Sequence, residues 1–363
     1  MASRVASWGN DLYTGRRSYD IVGKRLRFYW LSGVLMLVSA ILLVFPGLSL
    51  GIEFTGGSQF VLHNAADQGE QTAIDTVAEV IPGELARVTS LGESNLRVRT
   101  SDLDTEQQVQ VAEALAAAYG ITVDDIDVTF VSSSWGGQVT EKALQGAIVF
   151  IVLVLVVMSL YFRNWRMALA AVIALFHDLL ITVGVYALVG WEISPASVIG
   201  ILTILGYSVY DTVVVFDKVR ENTADIRDQR QFTYAEKANL AVNQTLVRSI
   251  NTSVVAVLPV ASILFVGTFM LGAGTLRDIA LALFVGMLVG AYSSIFLATP
   301  LDVELRQRTS DIGEHTEKVL NARQERGDDV TTEDVAGRLS GQLVPGAHLG
   351  NQAQPNRKRA KRK

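Results

Sequence analysis

Asp211 lies inside the run Val198-Ile-Gly-Ile-Leu-Thr-Ile-Leu-Gly-Tyr-Ser-Val-Tyr-Asp-Thr-Val-Val-Val-Phe216, a stretch apolar enough for the interior of a membrane. An ionised carboxylate there costs several kcal/mol unless it is paired, protonated or wetted, so such a residue marks an ion or proton path. Two neighbouring segments carry polar residues at the same spacing. Thr203, Tyr207 and Asp211 recur every four residues, with Ser208 and Tyr210 beside them. Gln244, Arg248 and Thr252 repeat the spacing with Asn251 adjacent, and Asp178, Thr182 and Tyr186 repeat it with His177 adjacent. At 3.6 residues per turn each set reads as one polar stripe on a hydrophobic rod. Lipid accepts none of these faces, so three stripes predict a shared interior. Asp211 and Arg248 are expected to meet there, the guanidinium favouring the charged acid and its withdrawal favouring protonation. That exchange would couple proton binding to helix position. The plainer readings are a static counter-ion at Asp211, an Arg248 snorkelling to the headgroups, and a His177–Asp178 pair that only ties helices together.

The rods that must hold these groups are legible. The chain has 363 residues, 50% hydrophobic and 18% charged, with a mean hydropathy of +0.32. Six predominantly apolar stretches of membrane-crossing length are predicted, at 28–47, 144–162, 167–189, 195–216, 250–271 and 279–300. The last five form a bundle over 144–300. Gly286 and Gly290 in the sixth, with Gly200 and Gly206 in the fourth, predict close helix approach. Residues 1–27 carry six basic residues against Asp11 and Asp20, whereas 51–141 carry fifteen acids against Arg87, Arg97 and Arg99. Glu192 is the only charge between the third and fourth stretches. The positive-inside rule then places both termini in the cytoplasm and residues 51–141 outside.

Residues 51–141 read as a small α+β domain. Strands are predicted over 58–63, 87–91, 95–98 and 126–131. Helices are predicted over 71–80, with Ile74, Val77, Ala78 and Ile81 inward, and over 106–119, with Val109, Ala112, Leu115 and Ala116 inward. The order β-α-β-β-α-β is that of a ferredoxin-like unit. The connection 217–249 is the one substantial loop in the bundle, and its 231–247 portion predicts an amphipathic helix on the membrane surface. Residues 301–363 read as a largely disordered cytoplasmic tail. The tail ends Arg357-Lys-Arg-Ala-Lys-Arg-Lys363, either simply solvated or in contact with anionic lipid or ribosomal RNA. No specific nucleic-acid site is expected. Cysteine is absent and the four histidines are scattered, so no metal site is predicted. No cofactor is implied, and no Gly-x-x-x-x-Gly-Lys-Ser/Thr loop is present to hydrolyse a nucleotide.

Several segments together resemble one family. Gly51-Ile-Glu-Phe-Thr-Gly-Gly57 resembles the GIDFTGG signature of the SecF family of protein-export subunits. Gly206 to Asn222, Asn243 to Ser253 and Leu283 to Pro300 resemble its fourth, fifth and sixth spans. The match runs in order over about residues 12–305, and the extended ends resemble the actinobacterial form. The resemblance implies an RND-like, non-enzymatic subunit of the bacterial plasma membrane that pairs with SecD and assists the SecYEG channel. It further implies use of the proton motive force on a translocating unfolded polypeptide. It places Asp211 and Arg248 in proton passage; from the polar stripes, His177, Asp178, Thr203, Tyr207, Gln244 and Asn251 are expected as the supporting polar core. Gly51, Glu53, Phe54, Gly56 and Gly57 form the signature, and Gly56-Gly57 and Gly136-Gly137 are expected to hinge the outer domain. Glu53 stands where the family usually has Asp, and Tyr210 where Asn is common.

Three competitors remain from other classes. An intramembrane aspartyl protease would explain Tyr210-Asp211 but needs a Gly-x-Gly-Asp on a neighbouring span, where the chain has Phe176-His-Asp178. A half-size RND exporter of lipids or small solutes would need a larger outer domain. A passive scaffold for the channel differs only in whether Asp211 titrates.

Overall fold

A computed structural model describes residues 4–45, 47–65, 69–91, 94–266, 274–326 and Val335. It divides into two compact units, one of residues 27–212 and 251–298, the other of residues 1–26, 213–250 and 299–363. Among the described residues six helices are long and apolar enough to cross a membrane: Arg25–Val44, Ser133–Phe162, Trp165–Val189, Pro195–Asn222, Tyr234–Val266 and Asp278–Gln307.

Helix α1 (Arg4–Tyr13) belongs to the second unit; in the first, helix α2 (Arg25–Val44) leads to the two-residue strand β1 (Ser49–Leu50) and the one-turn helix α3 (Ile52–Thr55). An α+β segment follows: β2 (Gly57–Leu62), α4 (Glu70–Val80), β3 (Arg87–Leu91), β4 (Asn95–Thr100), α5 (Thr105–Tyr119) and β5 (Ile126–Val131). The strands form one antiparallel sheet in the order β3-β4-β2-β5. Alternation decides its faces. Phe60, Leu62, Leu96 and Val98 point to the side covered by α4 and α5, where they pack with Val77, Val111, Leu115 and Tyr119. Helix α5 starts in a capping box: Asp104 accepts from the Gln107 amide at 2.8 Å and Gln107 Oε1 accepts from the Asp104 amide at 3.0 Å. It ends at Gly120 in the left-handed conformation, φ +66°. Replacing Asp104 by Ala is expected to cost ~1 kcal/mol. The check is hydrogen exchange in the full-length protein, where first-turn amides of α5 should exchange faster; unchanged protection would show the cap to be idle.

Two inward faces differ from the sequence expectation. On α5 the buried residues are Val111, Ala112, Leu115, Ala116 and Tyr119, while Val109 is exposed. Val109 stands two residues, or 200°, from Val111, and so faces away. On α4 the buried pair is Ala73 and Val77, with Ala78 exposed. The expected turn at Gly92 lies outside the described residues.

The spans α6 (Ser133–Phe162), α7 (Trp165–Val189), α8 (Pro195–Asn222), α9 (Tyr234–Val266) and α10 (Gly274–Ser293) complete the apolar helices. Helix α6 starts eleven residues before the predicted 144, because Gly136 packs on the α3 backbone and the Ser-Ser-Trp-Gly-Gly segment is drawn into the helix. Helix α9 starts at Tyr234 rather than 250. The amphipathic segment foreseen over 231–247 is thus the first half of the fifth span's own helix, not a separate surface element. Its last predicted residues, 267–271, lie outside the described residues. Past α10 the chain makes a π-helical turn at Ser294–Ala298 before α11 (Thr299–Gln307).

The hinge expected at Gly56-Gly57 and Gly136 takes a different form. A Cβ on Gly56 would overlap the Ser133 backbone, one on Gly57 the Thr100 carbonyl, and one on Gly136 the Phe54 carbonyl. Gly56 and Gly57 also have φ of +75° and +121°. These glycines allow backbones to touch; they are packed, and only Gly137 has open space around it.

In the second unit, residues 19–22 are strapped to α9. Asn239 accepts from the Ile21 and Val22 amides at 2.9 and 3.1 Å, and Asn243 accepts from the Tyr19 amide at 2.7 Å. The segment read as disordered from 301 onward contains α11 and α12 (Ser310–Arg326). Arg323 pairs with Glu236 at 2.6 Å and His315 bonds the Gln229 carbonyl at 2.7 Å, which holds a helix of low hydrophobicity in place. The basic stretch 357–363 lies outside the described residues.

Candidate functional site

Helix α7 is set between Asn164, whose side chain caps the Arg166 amide at 3.0 Å, and Gly190 in the left-handed conformation at φ +73°. Its inner face begins with Ala168, Ala170, Ala171 and Ala174, small residues that let neighbouring helices approach. One turn later come His177 and Asp178, 0% and 1% exposed. Asp178 is the centre of the buried polar network. Ser208 of α8 donates to its Oδ2 at 2.6 Å and Ser293 of α10 donates to the same oxygen at 2.8 Å. His177 Nδ1 lies 3.0 Å from Oδ1. Three donors from three helices thus converge on one carboxylate when Nδ1 carries the imidazole proton. Thr182 bonds back to the Asp178 carbonyl at 2.7 Å, satisfying its own hydroxyl within α7.

The network extends on both sides. Thr212 of α8 donates to Ser294 at 3.2 Å, and Ser294 donates to the Gly290 carbonyl at 2.6 Å. Ser293 and Ser294 sit where α10 passes into the π turn, a wider turn that re-aims side chains and often marks functional positions. The His177 ring stacks near Tyr292 at 6.2 Å, and the Tyr292 hydroxyl donates to the Phe28 carbonyl of α2 at 3.2 Å.

Glycine geometry permits this convergence. A Cβ on Gly290 would lie 3.1 Å from the Ser208 Cβ and 3.6 Å from Asp178 Oδ2, and one on Gly286 would collide with the Ile204 side chain. Gly286→Val is therefore expected to pry α10 from α8 and cost about 1–3 kcal/mol. A lower thermal midpoint of the detergent-solubilised protein checks this, and an unchanged midpoint contradicts it.

Asp211 is 4% exposed. It is buried on α8 beside Ser208 and Thr212, three residues after the first and one before the second. The stripe read from the sequence is rotated from these buried positions. Thr203 is exposed and bonds the Ile199 carbonyl at 2.7 Å, Tyr207 is half-buried and Tyr210 is 54% exposed. Thr203 is therefore no part of the interior: its hydroxyl is satisfied by its own helix. On α9 the buried polar and charged residues are Lys237, Asn239, Asn243, Thr245, Ser249 and Ser253, not the Gln244–Arg248–Thr252 stripe, and Asn251 is exposed. Gln244 accepts from Asn222 at 3.0 Å and donates to the Tyr13 carbonyl at 3.3 Å.

Within the second unit, Arg248 is exposed and lines a cavity of about 550 Å³ together with Asp217, Lys218, Arg220, Glu221 and Thr245. So many charges around one opening make it a wet space. Asp225 nearby in sequence pairs with Lys237, whose hydrogen bond holds the Asp225 carboxyl below its ordinary range.

The family described as "Protein export membrane protein SecD/SecF, C-terminal" matches residues 110–308, which include Asp178, Ser208, Asp211, Arg248 and Ser293. The "SecD/SecF GG Motif" matches residues 41–63, around Gly56-Gly57. The chain belongs to the SecD/SecF family. Among SecF relatives, the "Protein translocase subunit SecF" of Streptomyces coelicolor is 47% identical over 322 residues, covering 88% of this chain and 86% of the relative. The subunit of the same description from Mycobacterium tuberculosis (strain CDC 1551) is 41% identical over 340 residues, covering 91% and 76%. The crystal structure of SecDF from Thermus thermophilus, titled a translocon-associated membrane protein, superposes with a TM-score of 0.72 at 31% identity. That match covers 80% of this chain and 39% of the SecDF chain, so this chain spans about two fifths of it. This SecF-type chain is thus a multi-pass membrane subunit of the protein translocation apparatus.

Three features of this SecF chain were not singled out from sequence. Ser293 joins Asp178 across 115 positions, which no local spacing reveals. Asn239 and Asn243 strap residues 19–22 through side-chain amides. Glu192, noted only as a lone loop charge, is buried against Arg97 and Arg99. For Glu192 the available signal was its isolation between two spans in a segment otherwise free of charge.

Proposed function

We propose that this chain pairs with SecD in the plasma membrane, lies beside the SecYEG channel and uses the proton motive force to promote movement of unfolded polypeptides. The observation that carries the reading is the buried carboxylate Asp178, bonded from three helices, on whose α8 side Asp211 is also buried. Two acids in apolar helices cost far more than a bundle needs for cohesion. Asp211 takes up and releases the proton, Arg248 tunes it, and Asp178 with His177, Ser208 and Ser293 makes the ionisation state felt by α7, α8 and α10. Tyr207, half-buried on the same helix as Asp211, completes the proposed polar surroundings. The charge-lined cavity at Arg248 supports assigning this residue to a water-accessible position.

The charge asymmetry supports a topology with both termini cytoplasmic and the α+β segment outside. The sheet order β3-β4-β2-β5 supports its reading as a ferredoxin-like domain. Pairing with SecD is supported by the fused neighbour, of which this chain matches 39%.

The test is translocation into sealed vesicles carrying the SecD–SecF pair and the channel, with the gradient imposed either as protons or as sodium ions. Stimulation by the proton gradient alone supports the reading. Stimulation by sodium alone, or by neither, overturns it.

A further inference from the structure

The α+β domain carries three arginines, and all share one face of its sheet. Arg97 and Arg99 are two residues apart on β4, and Arg87 stands directly opposite Arg99 on β3. This is the face away from the Phe60–Leu96–Val98 core. Like charges set side by side in a sheet repel, so the arrangement needs an acid. The acid comes from outside the domain. Glu192 projects from the four-residue turn between Gly190, which ends α7, and Pro195, which starts α8. Arg97 Nη1 donates to its Oε2 at 2.8 Å, and Arg99 Nη2 lies 3.2 Å from Oε1. Arg99 Nη1 also donates to the Leu50 carbonyl at 2.6 Å.

The three side chains are 14%, 8% and 9% exposed for Arg97, Arg99 and Glu192. The turn itself is fixed: β6 (Glu192–Ile193) pairs in parallel with β1, the Gly51 amide donates to the Ile193 carbonyl at 2.9 Å, and Ser197 donates to the Glu192 carbonyl at 3.4 Å. Burial depresses the Arg99 pKa, with Glu192 opposing that shift. A buried ion cluster adds little net stability over apolar packing, because desolvation consumes most of the attraction. What it supplies is a fixed geometry, strongly penalised when one partner is withdrawn.

The helices on either side of this turn are those that share the Asp178–Ser208 bond. We infer that Glu192 is the tie through which relative movement of the third and fourth spans is passed to the α+β domain. It is a positioning residue acting through Arg97 and Arg99, and this role rests on the proton-coupled reading above. A shift of α7 against α8 tilts their connecting turn. Because Glu192 grips two guanidiniums of β4, the sheet must follow.

The absence of cysteine makes a clean test available. The pair R97C/E192C is bridged by a reducible bifunctional thiosulfonate matching the span of the lost side chains. The same protein is then assayed bridged and after reduction, beside E192A and the charge exchange E192R/R97E. Two quantities are read: gradient-dependent stimulation of translocation, and the gradient-dependent change in distance between spin labels on α5 and on α6. The inference predicts that both responses are lost in E192A and in the reduced cysteine pair, and that both return in the bridged pair and in the charge exchange. Wild-type response persisting in E192A and in the reduced pair overturns the tie while leaving proton coupling standing. Loss that neither bridging nor charge exchange restores also overturns it, since the junction would then be needed only for folding. A wild type with no gradient response would instead overturn the reading on which the tie depends.

Discussion

Asp211→Asn is expected to abolish gradient-dependent stimulation of translocation while the chain still inserts and pairs with SecD. The substitution keeps the size of the side chain and removes its capacity to exchange a proton. Asp211 is buried on the α8 face that also presents Ser208 and Thr212, both engaged with neighbouring helices. A neutral amide there avoids the cost of a buried charge, so stability should fall by less than ~1 kcal/mol or rise. The separation of the two readouts matters. Full loss of stimulation with an unchanged thermal midpoint places Asp211 in energy coupling. Normal stimulation would remove it from the proton path.

Asp178→Asn is expected to reduce both quantities. Asp178 accepts from Ser208 and Ser293 through one oxygen and faces His177 Nδ1 with the other. An amide accepts through only one atom and presents a donor at the second position. Either the two serines must rotate their hydroxyls or the imidazole proton meets an N–H. Leaving one buried donor without an acceptor costs ~1–3 kcal/mol. The thermal midpoint should therefore drop, and stimulation should fall toward the Asp211→Asn level, because the link between α7, α8 and α10 is broken. Stability lost with stimulation intact would reduce Asp178 to a structural group. Ser208→Ala and Ser293→Ala each remove one donor without orphaning the carboxylate, and should lie between wild type and Asp178→Asn.

These contrasts also explain what the sequence could and could not convey. Six apolar rods, a β-α-β-β-α-β segment and an acid in the fourth rod follow from hydropathy and period, since each is a local pattern. The rotation of the α8 stripe does not. Residues spaced by four drift 40° per step, so Thr203 and Asp211 lie 80° apart around the helix. Threonine also satisfies its hydroxyl on its own backbone, as Thr203 does with Ile199, so polarity alone fails to mark the inward face. Tertiary contact sets the start of α6, where a Ser-Ser-Trp-Gly-Gly segment ahead of the predicted span, expected to hinge at Gly136-Gly137, is held helical against α3. The same is true of α12, whose composition suggests disorder but which Arg323 and His315 fasten to residues 229–236. Of the site, the acids and the histidine were legible because they are improbable in apolar helices. Of the serines that complete the network, Ser208 was visible only as a neighbour of the stripe and Ser293 was not, because serine in a membrane helix is commonplace and Ser293 is remote in sequence.

The most direct measurement is infrared difference spectroscopy of the SecD–SecF pair in sealed membranes, following the carboxyl band as a proton gradient is imposed and dissipated. The account predicts a band that appears with one state and vanishes with the other, and that is missing in Asp211→Asn. A carboxyl signal that stays constant through both states, or a wild-type response retained in Asp211→Asn, would contradict it.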